Sequence, residues 1–223
     1  MPFRLLDARS TFQRTGNSIF QDPIAKGVVL VYRDDILVHI ESWTQHKQVL
    51  HLFLQIIQKF NLQLQVKKCH WGCTELRFLG YIISASGLQM DPEKINAITQ
   101  FAQPSSVRSL QSFLGLVNFS LKFLPNLASV TYPLRQLLIK DTKFVWSNQC
   151  QEIFSMLKEM VRNTPILAHP DFNKLFVLQT NASNYGIGAV LFQQEGESWR
   201  PVAFISRSLT KRSRTIQPQK KSY

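Results

Sequence analysis

Two apolar runs, VVLV at residues 28–31 and ILV at 36–38, are held apart by Tyr32, Arg33, Asp34 and Asp35. Short β-branched runs around a polar tetrad predict a β-hairpin with both aspartates at its turn. The period then changes. Val49, Leu50, Phe53, Ile56, Ile57 and Phe60 recur at helical spacing behind Ser42 and Gln45, which predicts a capping box and an amphipathic helix over 43–60. Leu62 and Leu64 alternate with polar residues, FLGYII at 78–83 reads as a short strand, and residues 84–87 read as a turn. Asp91, Pro92 and Glu93 open a helix with an N-cap, a proline in its first turn and an early acid. Its face carries Ile95, Ile98 and Phe101.

A further helix after Pro104 carries Val107, Leu110, Phe113, Leu114 and Val117. Another, over 148–162, carries Ile153, Met156, Leu157, Met160 and Val161 before Asn163, Thr164 and Pro165 stop it. Pro165 and Pro170 bracket an expected boundary. Beyond them three strands, 175–179, 186–193 and 201–205, with residues 181–185 as the first connection, predict an antiparallel meander. Near the start, Phe12, Ile19 and Phe20 are candidates for burial.

The chain has 223 residues, 44% of them hydrophobic and 11% aromatic, enough for real cores and against wholesale disorder. A formal charge of +12 fits a polyanionic partner or a solvated basic face equally well. The last part of the chain concentrates Arg207, Lys211, Arg212, Arg214, Lys220 and Lys221 with no acid among them. That stretch is a phosphate-binding candidate, or a device for solubility. No run approaches a membrane span and no apolar leader opens the sequence, so an intracellular setting without a membrane partner is expected. Cys69, Cys73 and Cys150 are expected to be free thiols. Cys69, His70 and Cys73 lack the second ligand pair of a zinc site.

Asp34 and Asp35 are ordinary turn residues in water or, set beside apolar strands, a carboxylate pair that wants a hard cation such as Mg²⁺. The flanking motifs favour the second reading. Tyr32-Arg33-Asp34-Asp35 resembles the palm hairpin of reverse transcriptases. Met1, Pro2, Phe3, Leu5, Ala8, Thr11, Phe12, Gln13 and Arg14 match the Met-Pro-Phe segment of gypsy-like long-terminal-repeat retrotransposon polymerases. Residues 62–69 resemble the family's Leu-x-Leu-x-x-x-Lys-Cys, 78–84 its primer-grip hairpin, and 112–120 its S-F-L-G-L-x-N-Y-Y. Residues 180–191, TNASNYGIGAVL, are similar to the opening of the RNase H domain fused behind these polymerases.

The resemblance implies an α/β (α+β) fold: a partial polymerase palm at 1–90, a helical connection or thumb-like region at 91–170, and a truncated RNase H-like antiparallel meander at 171–223. It implies metal binding and catalysis by Asp34 and Asp35, and nucleotide or template contacts at Phe3, Phe12, Gln13, Tyr32 and Lys68. Without it, Lys67 and Lys68 would read as surface charge. It further implies a primer grip at Phe78, Leu79 and Gly80, Mg²⁺ as cofactor, and an RNA/DNA template-primer as partner, with other Pol segments as possible companions. The departures count as well. Asn181 stands where the RNase H motif has its first acid, and no later acid follows residue 206. The family's remaining polymerase aspartate belongs before the Met-Pro-Phe motif, and Arg33 is expected to compete with cations for Asp34 and Asp35. The expected product is therefore a reverse-transcriptase-derived Pol fragment, inactive alone, with weak or vestigial metal binding. The alternative is a non-catalytic nucleic-acid-binding remnant.

Overall fold

The first elements of the computed structural model are α1, Ala8–Ile19, and α2, Gln21–Ala25. The hairpin of β1, Val29–Tyr32, and β2, Asp35–Val38, follows, and then α3, Trp43–Lys59. The structure describes residues 8–209. The chain divides into two units, Met1–Gly72 and Cys73–Tyr223.

In the first unit Phe20, Val29, Val31, Phe53 and Ile57 form a small core, with Phe20 stacked on Phe53 at 5.4 Å. The helical stripe of α3 is there for that reason: its residues two and one turns apart close over the buried face of β1. Burial of each of these side chains contributes about 1.5–3 kcal/mol. Phe12 and Phe60, expected inside, are 51% and 46% exposed. Phe12 sits on the outer face of α1, and Phe60 is already past the last turn of α3. The capping box is also absent, because Ser42 makes no side-chain cap and only its carbonyl accepts from His46.

The second unit begins with a three-stranded antiparallel sheet, β3, Glu75–Phe78, β4, Tyr81–Ser84, and β5, Gly87–Met90. The single strand expected over 78–83 is broken at Leu79 and Gly80, which turn the chain with φ of +52° and +78°. Helices α4, Pro92–Thr99, and α5, Val107–Phe119, come next. Asp91 caps α4 by accepting from the Glu93 amide, as its sequence predicts, while Phe101 lies beyond the end of that helix. Ser106 and Ser109 cap α5 reciprocally. Two short helices, α6, Leu127–Val130, and α7, Tyr132–Gln136, precede α8, Asn148–Arg162. These helices enclose the main core around Phe113, Phe154, Leu110 and Leu157. Phe154 and Cys150 are buried on α8, whereas Met156, assigned to the core from its spacing, is 52% exposed.

The last sheet is the expected meander, β6, Phe176–Ala182, β7, Gly186–Glu195, and β8, Ser198–Ser208, paired in sequence order. Asn181 and Ala182 belong to β6 and not to the connection. Between the two prolines, Leu167 bridges to Leu88 in both backbone directions and ties β5 to the chain leaving α8. Gly87, with φ of +131°, makes that approach feasible, since a Cβ there would strike the Leu167 carbonyl. Arg200 and His169 hold the neighbouring turn through the Ser86 and Ser84 carbonyls, at 2.5 and 2.8 Å. Cys69 and Cys150 are free thiols. Among the described residues no helix is long and apolar enough to cross a membrane.

Candidate functional site

The β1–β2 hairpin is closed by Arg33 and Asp34, with Tyr32 paired across to Asp35. Asp34 is thus at the turn and Asp35 begins the return strand, and both are exposed. Arg33 adopts φ of +54°, a left-handed conformation that costs a side-chain-bearing residue about 1–2 kcal/mol. What holds it is Gln13 on α1. The Gln13 Oε1 accepts from the Arg33 amide at 2.6 Å, and its Nε2 donates to the Val31 carbonyl at 2.9 Å and to Asn17 Oδ1 at 2.9 Å. One carboxamide therefore ties α1 to the end of β1 and to the first residue of the turn.

The expectation that Arg33 neutralises the aspartates is not met. Its guanidinium lies over the Tyr32 ring, 5.2 Å from the centroid, and among the described residues no ion pair joins it to Asp34 or Asp35. The two carboxylates are left facing solvent. This donor set fits one hydrated Mg²⁺, which takes one or two carboxylates and fills its other positions with water or phosphate. It falls short of a two-metal site, because among the described residues no group of three or more His, Cys, Asp or Glu converges.

Tyr32 and Phe12 expose 42% and 51% of their surfaces, and Gln13, next to Phe12 on α1, bonds to the residues on either side of Tyr32. Lys68 is exposed in a single 3-10 turn, Val66–Lys68. Phe3 lies outside the described residues, as do Lys211, Arg212, Arg214, Lys220 and Lys221. Arg207 is exposed on β8. Phe78, Leu79 and Gly80 belong to the second unit, where Phe78 pairs with Tyr81 across the two-residue turn. Both turn residues are left-handed, the conformation that matches a tight connection to the twist of its strands. A Cβ on Gly80 would meet the Phe119 ring at 3.0 Å and the Lys94 side chain at 3.4 Å. Asn181 pairs with Gly188, and Asn126, itself left-handed, lays its amide against that glycine. The shallow recess around Asn181 is lined by Pro125, Asn126, Gln179, Thr180 and neighbouring strand residues, with no carboxylate among them. The role of Asn126 had no signal in the sequence, since it depends on a contact across more than fifty residues.

Residues 2–83 match the family "Reverse transcriptase (RNA-dependent DNA polymerase)", and residues 146–223 match "RNase H-like domain found in reverse transcriptase". The Pol polyprotein of the Drosophila melanogaster transposon opus is 39% identical over 222 residues, covering 95% of this chain and 22% of the relative. That of transposon 297 is 39% identical, covering 94% and 19%. The Tf2-3 polyprotein of Schizosaccharomyces pombe is 34% identical, covering 95% and 16%. The chain thus spans about a fifth of the length of these relatives. Among solved structures, the foamy viral protease-reverse transcriptase in complex with RNA/DNA hybrid superposes with a TM-score of 0.81 at 22% identity, covering 98% of this chain and 29% of that one. The same enzyme in complex with dsDNA gives 0.83 at 23%, covering 98% and 45%. The likeness establishes a shared fold.

Proposed function

We propose, for a chain that belongs to the reverse-transcriptase and RNase H-like part of retrotransposon Pol polyproteins, that it binds a template-primer duplex with little sequence preference and does not complete either catalytic site by itself. The observation that carries this reading is the hairpin: two exposed aspartates on a turn fixed by Gln13, with no third metal-ligating side chain beside them among the described residues. In functional terms, residues 1–90 act as part of the palm, 91–170 as the connection, and 171–223 as the RNase H-like part. Asp34 and Asp35 hold Mg²⁺, which when bound would neutralise charge developing on a transferring phosphate. Gln13 keeps the turn in register. Phe12 and Tyr32 offer aromatic surface to nucleotide bases, Lys68 meets phosphate, and Phe78, Leu79 and Gly80 support the primer strand. Phe3 is read as a further nucleotide or template contact, and the basic stretch from Arg207 to Lys221 as a phosphate contact. Further Pol segments are the companions that would supply additional carboxylates.

The reading of the meander as non-catalytic is favoured by Asn181. An amide carbonyl can ligate a cation but brings no charge, and nothing acidic lines its recess. Fluorescence anisotropy with the full chain and a labelled RNA/DNA hybrid tests both halves of the proposal. Salt-dependent binding without metal-dependent cleavage of the RNA strand is expected. Cleavage that is lost in an Asn181→Ala variant would overturn the second half, and absence of binding at low salt the first.

A further inference from the structure

Among the described residues the second unit guards its sheet edges in every place but one. A terminal strand presents unpaired backbone N–H and C=O groups to any extended chain, and charge, proline or an irregular register is what ordinarily blunts it. β3 carries Glu75 and Arg77, and β5 is tied to Leu167. β8 carries Arg200, Pro201 and Arg207, and its register with β7 shifts between Leu191 and Phe192. β6 ends the same sheet on the other side and has none of these devices. Its sequence, FVLQTNA, is free of charge and proline and pairs with β7 in unbroken register. Six of its seven residues are exposed, Leu178 by 58%, so that both faces of the strand meet solvent as well as its edge. Leu175 and Phe172, just before it, are exposed too.

A second copy of the chain supplies what such an edge takes, an extended segment of matching apolar character and no charge. Repulsion is the obstacle, because the chain carries +12. Antiparallel pairing avoids it at the contact. About a two-fold axis at Leu178, that residue meets its own counterpart, Phe176 meets Thr180, Val177 meets Gln179, and Lys174 faces Ala182 instead of another lysine. Lys174 is moreover paired with Asp171 at 3.4 Å. Parallel pairing in register would set the two lysines side by side. Residues 210–223 are a poorer match in composition, with five Lys or Arg and Pro218 against one aliphatic residue, Ile216. We propose that β6 is a dimerisation edge, at which two copies of the chain pair antiparallel and join their three-stranded sheets into one of six strands.

The test is sedimentation of the full chain, freed of nucleic acid, under reducing conditions and at salt that screens its charge. A single strand pair buries less than the ~800 Å² per partner of a standard interface, so a reversible dimer at micromolar concentrations is expected. The weight-average mass should rise with concentration from 25.8 kDa toward twice that value. Leu178→Lys and Thr180→Lys, each adding a charge at an exposed edge position, should hold the mass at one chain and leave the circular dichroism unchanged. Ile205→Lys, on the same face of the sheet but two strands away across Ala189, should still dimerise. Amide exchange on peptides spanning 176–182 should slow as the unsubstituted chain is concentrated, and should not slow in Leu178→Lys. A one-chain mass at every concentration would overturn the proposal and leave the edge to a different Pol segment. Exchange at 176–182 that ignores concentration would overturn it without recourse to any variant. So would a dimer that survives both edge lysines, and a dimer broken by Ile205→Lys would overturn it in favour of packing through the sheet face.

Discussion

Replacing Gln13 with leucine isolates what holds the aspartate hairpin. The substitution keeps the bulk of the side chain and removes the bond accepted from the Arg33 amide and the one donated to the Val31 carbonyl. Each such bond contributes about 0.5–1.5 kcal/mol net, and partial burial of Gln13 places the pair near 1–2 kcal/mol together. The left-handed Arg33 then lacks the contact that offsets its own conformational cost. A loss of that size raises the open population of the turn by about 5–30-fold. Hydrogen exchange of the full chain, read on peptides containing Arg33, should accelerate by that factor while peptides from α8 exchange as before. Arg33→Gly should restore protection, because glycine takes the left-handed φ without cost, and the double variant should show coupling between the two positions. Asn17→Ala, which removes only the exposed third contact of Gln13, should change little. Unchanged exchange at Arg33 in Gln13→Leu, or an effect no larger than that of Asn17→Ala, would refute this tie.

Gly87→Ala should destabilise the second unit by about 2–4 kcal/mol, since its Cβ would strike the Leu167 carbonyl at a φ that side chains rarely adopt; the urea midpoint followed by circular dichroism measures this. Ser120→Ala should be neutral or stabilising by up to about 1 kcal/mol, because the Ser120 hydroxyl is fully buried and has no partner among the described residues, and thermal denaturation checks it. The Asp171 carboxyl is held below its ordinary 3.8 first by the Asn173 backbone amide and also by Lys174. Its contribution is therefore present above that value and lost as pH falls through the lower folded one, so the urea midpoints of the unsubstituted chain and Asp171→Asn should converge in acid. Lys122 has the opposite sense: its folded value lies below 10.5, the unfolded chain binds more protons between the two, and stability should rise with pH there, a rise that Lys122→Met removes.

Much of the fold is legible in residue order where one local rule dominates. The 3.6-residue spacing before Asn163 delimits α8 to the residue, and Asp91, Pro92 and Glu93 mark the start of α4 because cap, proline and acid all act within one turn. The meander is visible in its apolar runs, although its first connection is shorter than the 181–185 expected from residue order. The strands flanking β4 are not, because four-residue segments containing Glu75, Arg77 and Gln89 bury only part of one face and leave no clear period. Phe60 and Met156 are misplaced by periodicity for a related reason, since spacing gives a face of a helix but not how far the neighbouring element covers it. At the site, the motif gave Asp34, Asp35 and Gln13. That Gln13 serves the backbone of the turn, and that Arg33 lies on Tyr32 instead of on the aspartates, depends on distances that no motif encodes.

The most direct test of the central claim is a primer-extension measurement on a preformed complex of the full chain with an RNA template and DNA primer, in Mg²⁺ and in Mn²⁺. A bound duplex is expected, with no template-directed nucleotide incorporation above that of an Asp34→Ala, Asp35→Ala double variant. Incorporation by the unsubstituted chain that is abolished in the double variant would contradict it, and would show that the hairpin completes a polymerase site with residues of this chain alone.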